Sequence, residues 1–255
     1  MIFGKEGMSR LFDAKIAVFG IGGVGGYAVE AFARSGIGRI DLFDDDKICL
    51  TNVNRQLHAT RKNVGQYKVD AAKERIEDIN PDAIVNTYKL FYTPDTSAQV
   101  DLSQYDYVID AIDTVSGKIE LAVKANECGV RIISSMGAGN KLNAAAFEVA
   151  DIYKTSVCPL AKVMRHELRK RGIEKLKVVY SKDPPIPPGS RGQASEAPTD
   201  CKTNCICPPG TQRKCTARRQ IPGSNAFVPA AVGLILAGEV VGELGYCPWL
   251  TGEGA

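Results

Sequence analysis

The chain has 255 residues, 44% of them apolar and 24% charged, with 25 Gly, 13 Pro, eight Cys and a formal net charge of +3. These values exclude a disordered, collagen-like or supercharged chain, and the length lets one large domain, or one domain with an elaborated tail, bury about three quarters of its unfolded surface. Eight cysteines are too few for a disulfide-stapled secreted scaffold and the opening MIFGKEGMSR lacks the apolar stretch of a signal peptide, so reduced thiols in a cytoplasm are expected. The most apolar stretch, 226–238, contains Pro229 and runs into Glu239 and Glu243. It falls short of the ~20 residues of a membrane span and is expected to form a buried helix.

Periodicity predicts alternating strands and helices in the first half. Residues 15–20 (KIAVFG) form a short apolar run, and over 23–35 the apolar residues move to helical spacing before Gly36 and Gly38 stop them. A second strand is expected at 39–44 and a helix at 66–79, where Val69, Ala72, Ile76 and Ile79 line one face and Pro81 follows. Next come a strand at 83–90, a short helix opened by Thr93, Pro94 and Asp95, a strand at 105–110, a helix at 116–128 and a strand at 131–136. Five such repeats imply an α/β fold: a Rossmann-like, doubly wound, mostly parallel sheet with helices on both faces. The second half adds an expected edge strand at 145–153, a strongly basic helix at 159–171, a strand at 176–181 and a C-terminal helical extension, with antiparallel edge strands. Residues 182–223 are dense in Pro, Gly, Ser and Cys, a length of loop uncommon in a compact domain unless it is functional or disordered. The chain is thus expected to be one unit, with a nucleotide-binding core over 15–145 and a substrate-side extension over 146–255.

Gly20, Ile21, Gly22, Gly23, Val24 and Gly25 stand between the first strand and the first helix. Glycines there permit a tight turn and close backbone approach to phosphates, whose charge meets the helix N-terminus. Asp44, at the tip of the second strand, stands where a carboxylate meets ribose hydroxyls. The residues beyond it do not suit hydride transfer: Asp46, Asn52, Arg55, Gln56 and then Lys68 gather acidic, amide and cationic groups, and Arg55 and Lys68 can hold the β- and γ-phosphates of a triphosphate. Asp113 and Thr114 follow the fourth strand and face the same crevice, where Asp113 suits Mg2+.

This combination of a GxGGxG turn, an acidic strand end, an N-x-x-R-Q segment, a G-x-x-K helix start and a D-x strand tip resembles the ubiquitin-activating-like (ThiF/MoeB-like) adenylating superfamily. Within it, LTNVNRQLHA (50–59), VIDAIDTV (108–115), SSMGAGNKL (134–142) and ADIYKTSVCPLAKVMRHELRKRG (150–172) look most like the tRNA threonylcarbamoyladenosine dehydratases. The resemblance implies that Gly20, Gly22, Gly23, Gly25, Asp44, Asp46, Asn52, Arg55, Gln56, Lys68, Asp113 and Thr114 bind Mg-ATP, with Arg55, Lys68 and Asp113 catalytic and Asp113 holding Mg2+ through the nucleotide. It also implies that the threonyl carboxylate of the modified tRNA adenosine is adenylated and closed into a ring with net loss of water. A two-fold homodimer is implied too, with the 226–244 helix contributing to its interface, and a sulfur-pathway protein is a candidate partner. Two features depart from the superfamily pattern. Relatives present an arginine from a partner subunit's N-terminal segment to ATP, whereas here Arg10 is the only arginine before Arg34 and gives no clear match. Sulfur-carrier-activating relatives carry two zinc-binding CxxC pairs, and this chain has no CxxC; Cys201, Cys205, Cys207 and Cys215 cluster at a spacing open to zinc, a redox pair or reduced thiols on a substrate-side loop.

The charges divide unevenly. There are 17 basic and 20 acidic residues up to 150, and 15 basic and nine acidic beyond it, so the halves carry −3 and +6. Lys162, Arg165, Arg169, Lys170, Arg171, Lys175 and Lys177 cluster around the basic helix, with Lys202, Arg213, Lys214, Arg218 and Arg219 in the loop, a pattern suited to RNA phosphates or to a solvated helix face. His58 and His166, the only histidines, are expected to be surface or locally hydrogen-bonded groups rather than general bases. The competing readings are adenylation of the C-terminal glycine of a ubiquitin-like sulfur carrier, and a scaffold or redox partner that keeps the nucleotide fold without turnover.

Overall fold

The computed structural model describes residues 2–186, 208 and 223–245. Seven strands form one sheet: β1 (Lys15–Phe19), β2 (Arg39–Phe43), β3 (Ile84–Tyr88), β4 (Tyr107–Asp110), β5 (Arg131–Ser135), β6 (Phe147–Asp151) and β7 (Lys177–Ser181), in the order β3-β2-β1-β4-β5-β7-β6. Every pairing is parallel except that of β6 with β7, so β6 is the one antiparallel edge strand among the described residues. The chain reverses direction across the sheet between β1 and β4, and that switch point places the Gly20–Gly25 turn beside the end of β4, where Ala111 N–H donates to Phe19 O at 2.8 Å.

Period-2 alternation decides what each face buries. Ile16 and Val18 of β1 and Tyr107 and Ile109 of β4 join one core with helices α2 (Gly25–Arg34), α3 (Lys68–Ile79) and α6 (Val228–Gly245). Ala17, Phe19 and Val108 point the other way, toward Leu121 and Ala125 of α4 (Val115–Cys128), with Phe19 stacked on Phe43 at 4.3 Å. A third cluster seats α5 (Pro159–Lys170) on β7 through Ala161, Met164 and Leu168. The second half is therefore woven into the same sheet and core as the first.

Helix α6 passes the length and composition test for a membrane span, but 61% of it is buried, with Val232, Leu236 and Val240 fully inside the core. Its packing is close because Gly233 faces α2: a Cβ there would stand 2.3 Å from Val24 O. Helix α1 (Gly4–Asp13) is not anticipated from the sequence. It covers the end of α6, burying Leu11 and aiming Arg10 at Gly245 O (2.9 Å) while pairing it with Glu6 (2.8 Å). The short helix expected after Thr93 forms as a turn over 94–96 that leads into a 3-10 helix, Ser97–Gln99, with Thr96 Oγ1 accepting from Thr93 N–H and donating to Phe91 O.

The chain reaches Ile186 and re-enters at Gly223 against the same residue. Ile186 N–H donates to Asn140 O (2.7 Å), Gly223 N–H donates to Asn140 Oδ1 (2.7 Å), and Asn140 holds a left-handed backbone (φ 57°) between them. Cys201, Cys205, Cys207 and Cys215, and the basic residues Lys202, Arg213, Lys214, Arg218 and Arg219, lie outside the described residues. Cys49, Cys128 and Cys158 are free thiols.

Candidate nucleotide site

The turn after β1 is built by two glycines that the fold itself demands. Gly20 has φ +90°, and a Cβ on it would lie 2.7 Å from Ala111 O; a Cβ on Gly25 would lie 1.8 Å from Gly20 O. Gly23 is crowded more mildly, by Pro229 Cβ at 3.2 Å and Arg55 O at 3.3 Å. Gly22 differs: a Cβ there would meet nothing nearer than Gln56 Nε2 at 3.9 Å. The missing side chain at Gly22 answers no contact in the protein. It leaves open a cradle at the N-terminal end of α2, where backbone N–H groups and the helix dipole favour an anion.

Asp44 secures this turn, its Oδ2 accepting from Ile21 N–H (2.7 Å) and its Oδ1 from Asp46 N–H (2.8 Å). A bridge between Lys47 and Tyr67 folds the long connection after β2 back on itself, which returns Lys68, at the start of α3, to the acidic strand end. Lys68 Nζ stands 2.6 Å from Asp46 Oδ2 and 3.6 Å from Asp44 Oδ1. Burial acts to lower the Lys68 pKa, but Asp44, Asp46 and the more distant Asp113 outweigh it, so the ammonium is held above its ordinary value. Burial raises the Asp44 carboxyl, with Asp46 adding to the rise and Lys68 and the two backbone donors opposing it. The carboxylates of Asp44, Asp45 and Asp46 lie within 4.8 Å of one another, a grouping a metal ion could use, and Lys68 already supplies positive charge there.

The N-x-x-R-Q segment closes the far wall. Asn52 is buried and its Oδ1 accepts from Cys49 N–H (3.0 Å), so its carbonyl shapes the segment. Arg55, beside Gly23, donates to Thr51 O (2.9 Å) and Asn54 Oδ1 (3.0 Å). Gln56 is buried next to Gly22, and its Oε1 has no hydrogen-bond partner among the described residues. This buried acceptor calls for a donor, which a nucleotide would bring as a ribose hydroxyl or base amino group and not through its phosphates. Asp113 lies three residues beyond the end of β4, exposed, in the turn to α4 whose N-cap is Thr114. The fold therefore brings Gly20, Gly22, Gly23, Gly25, Asp44, Asp46, Arg55, Gln56 and Lys68 to one crevice, with Asp113 near enough to act on Lys68.

Two features differ from expectation or escape it. His58, expected as a surface or locally hydrogen-bonded group, is buried, with Nε2 unpartnered among the described residues; burial chiefly, then Lys68 and Arg75, pushes its pKa down to about 4, so it is neutral. The carboxylate that ends β4 is Asp110, fully buried and paired with Lys118 of α4 at 3.0 Å. Lys118 also donates to Ser135 O (2.8 Å), and Asp110 accepts from Ser134 Oγ (2.5 Å) and Ile112 N–H (3.2 Å). The sequence did hold a signal: Lys118 stands at helical spacing with Ala122 and Ala125, on the face α4 buries.

The ThiF family model matches residues 1–247. The tRNA threonylcarbamoyladenosine dehydratase of Bacillus subtilis is 45% identical over 245 residues, covering 96% of this chain and 92% of that protein. Among solved structures, the Escherichia coli tRNA N6-threonylcarbamoyladenosine dehydratase, TcdA, in complex with AMP superposes with a TM-score of 0.79 at 33% identity, covering 94% of this chain and 89% of that one. The same protein in complex with ATP superposes at 0.76 and 32% identity, with the same coverage. With its glycine turn, acidic strand end and buried lysine in the arrangement described above, the chain belongs to the ThiF family, in the branch of the tRNA threonylcarbamoyladenosine dehydratases.

Proposed function

We propose that this protein is an ATP-dependent enzyme that dehydrates the threonylcarbamoyl adenosine of tRNA to its cyclic form. The observation that carries the reading is the Gly22 cradle at the start of α2, open on the protein side and flanked by the cations Arg55 and Lys68. It is a phosphate site whose cations suit a triphosphate. The substrate follows from the relatives, which are dehydratases of tRNA threonylcarbamoyladenosine.

ATP is a substrate. The threonyl carboxylate attacks the α-phosphorus, the bond to the β-phosphate breaks and pyrophosphate leaves. The activated carbonyl is then captured within the same nucleoside by the carbamoyl group, AMP departs, and the ring closes with net loss of water. No protein nucleophile is needed. The protein must hold two anions against each other and offset the charge of the leaving pyrophosphate. The Gly22–Gly23 backbone and the start of α2 cradle phosphate; Arg55 and Lys68 supply fixed positive charge; Asp44 orders the turn. Lys68 exchanges Asp46 for phosphate oxygens as the nucleotide enters. Mg2+, held by Asp113 together with phosphate oxygens, would add charge neutralisation. Residues 15–145 carry the nucleotide and 146–255 the tRNA, in one cytoplasmic unit that works as a homodimer, with a sulfur-pathway protein as a candidate neighbour.

Mass analysis of nucleosides from tRNA incubated with protein and ATP tests this. Loss of one water from the threonylcarbamoyl nucleoside, abolished in Lys68→Ala, is the expected result. An unchanged nucleoside, with ATP–pyrophosphate exchange elicited instead by a ubiquitin-like carrier, would overturn it.

A further inference from the structure

We propose that the outward face of α5 and the hollow at its C-terminal end form the RNA-binding surface, with Tyr153 and Arg169 holding an unstacked base. This rests on the tRNA-modifying function above and says where the nucleic acid lies.

Helix α5 starts at the rim of the crevice: a Cβ on Gly137, just beyond β5, would lie 3.8 Å from Cys158 Sγ, the N-cap of α5. Its 12 residues then extend about 18 Å away from that rim. Ala161, Met164 and Leu168 face the core, which turns Lys162, His166, Arg169 and Lys170 to solvent. The only carboxylate on the helix, Glu167, is covered by Lys170 (3.0 Å) and Arg171 (2.8 Å), whose hydrogen bonds hold its pKa at about 2. The face is thus left cationic, as a phosphate backbone requires.

At the far end lies an open hollow of about 390 Å3 lined by Tyr153, Arg169, Gly172, Ile173 and Glu174. The Tyr153 hydroxyl donates to Ile173 O and fixes the ring, and the Arg169 guanidinium lies over that ring at 5.1 Å. The Arg169 guanidinium, backed by the Tyr153 ring, offers its outer face for a nucleobase to stack on, and the Glu174 carboxylate accepts from that base's amino group. A bare phosphate would gain nothing from Glu174. Lys154, Lys170, Arg171 and Lys175, all exposed, surround the hollow in sequence and are placed for the phosphates on either side of such a base.

The test uses the full chain and tRNA carrying the threonylcarbamoyl adenosine. Lys162→Glu/Lys175→Glu is expected to raise KM for tRNA at least tenfold and to reduce the slope of log Kd against log salt by about 2. Tyr153→Leu raises KM about tenfold, whereas Tyr153→Phe, which keeps the ring, stays close to the parent. In each variant kcat and KM for ATP remain within twofold. Folded variants with unchanged KM and salt slope overturn the inference, as does loss of binding to an acidic protein with tRNA kinetics intact. A parent protein that does not dehydrate tRNA at all overturns the function itself, so the two failures are distinguishable.

Discussion

Gly22 and Gly25 stand in one turn for opposite reasons, and substitution separates them. Gly22→Ala meets nothing closer than Gln56 Nε2 at 3.9 Å among the described residues and is expected to fold with a Tm within about 2 °C of the parent, because the alanine also restricts the unfolded chain. Its methyl group occupies the cradle, so ATP affinity measured by calorimetry should fall at least tenfold. Gly25→Ala, 1.8 Å from Gly20 O, should yield no folded protein. The Asp110–Lys118 pair makes a different distinction. Lys118→Met strands a buried carboxylate and should cost about 3–5 kcal/mol by chemical denaturation, and Asp110→Leu/Lys118→Met should recover part of that. Turnover should not recover with stability, because Ile112 N–H and Ser134 Oγ lose the common acceptor that fixes the loops on both sides of the crevice. His58 sets an acid limit. Its pKa is about 4 in the folded protein against the ordinary 6.5, so its contribution is intact above pH 6.5 and is lost as pH falls toward 4. The loss is on the order of 3 kcal/mol, and His58→Gln should flatten the stability curve across that window in urea melts at stepped pH.

At the scale of elements, the contact of α6 with α2 ties stability to the site. Leu236→Ala removes a fully buried side chain from the shared core and should lower stability by about 2–5 kcal/mol, a Tm drop of roughly 5–15 °C for a domain of this size, with ATP binding retained at low temperature. Gly233→Val, pressed against Val24 O, should displace the turn itself and weaken ATP binding out of proportion to the lost stability. The strands and longer helices were readable because their apolar periods are undisturbed: β1, β2, α3, β4, α4 and β5 lie within two residues of expectation. Helix α1 was not, because its few apolar residues pack against segments distant in sequence: Met8 lies beside Gly36, Leu11 joins the main core, and Arg10 caps the end of α6 at Gly245 O. The short helix expected at Thr93 starts later and is tighter, a 3-10 helix at Ser97–Gln99, because the Thr96 hydroxyl bonds Phe91 O and holds 94–96 as a turn.

Across the whole molecule, the nucleotide half of the site was legible because its chemistry lies in contiguous motifs: a turn, a strand end, a helix start. What was illegible is pairwise and distant. Lys68 meets Asp46 across 22 residues, and Asp110 shares one polar knot with Lys118, Ser134 and Ser135. No sequence period marks such meetings, since they depend on which strand tips the switch point makes neighbours. The unequal charge of the two halves also gained a place, on the outward face of α5.

The packing of Gly23 on Pro229 and of Gly233 on Val24 bears on how the protein is made. The glycine turn is translated well before the helix that buttresses it. At ribosomal rates of about 5–20 residues per second, the roughly 200 residues between them take about 10–40 s. During that interval the apolar face of α2 has no α6 to cover it. A nascent chain halted before residue 228 should not be retained on an ATP resin, and a chain extended past residue 245 and released should be. The enzyme would thus become competent for nucleotide only once α6 has been made.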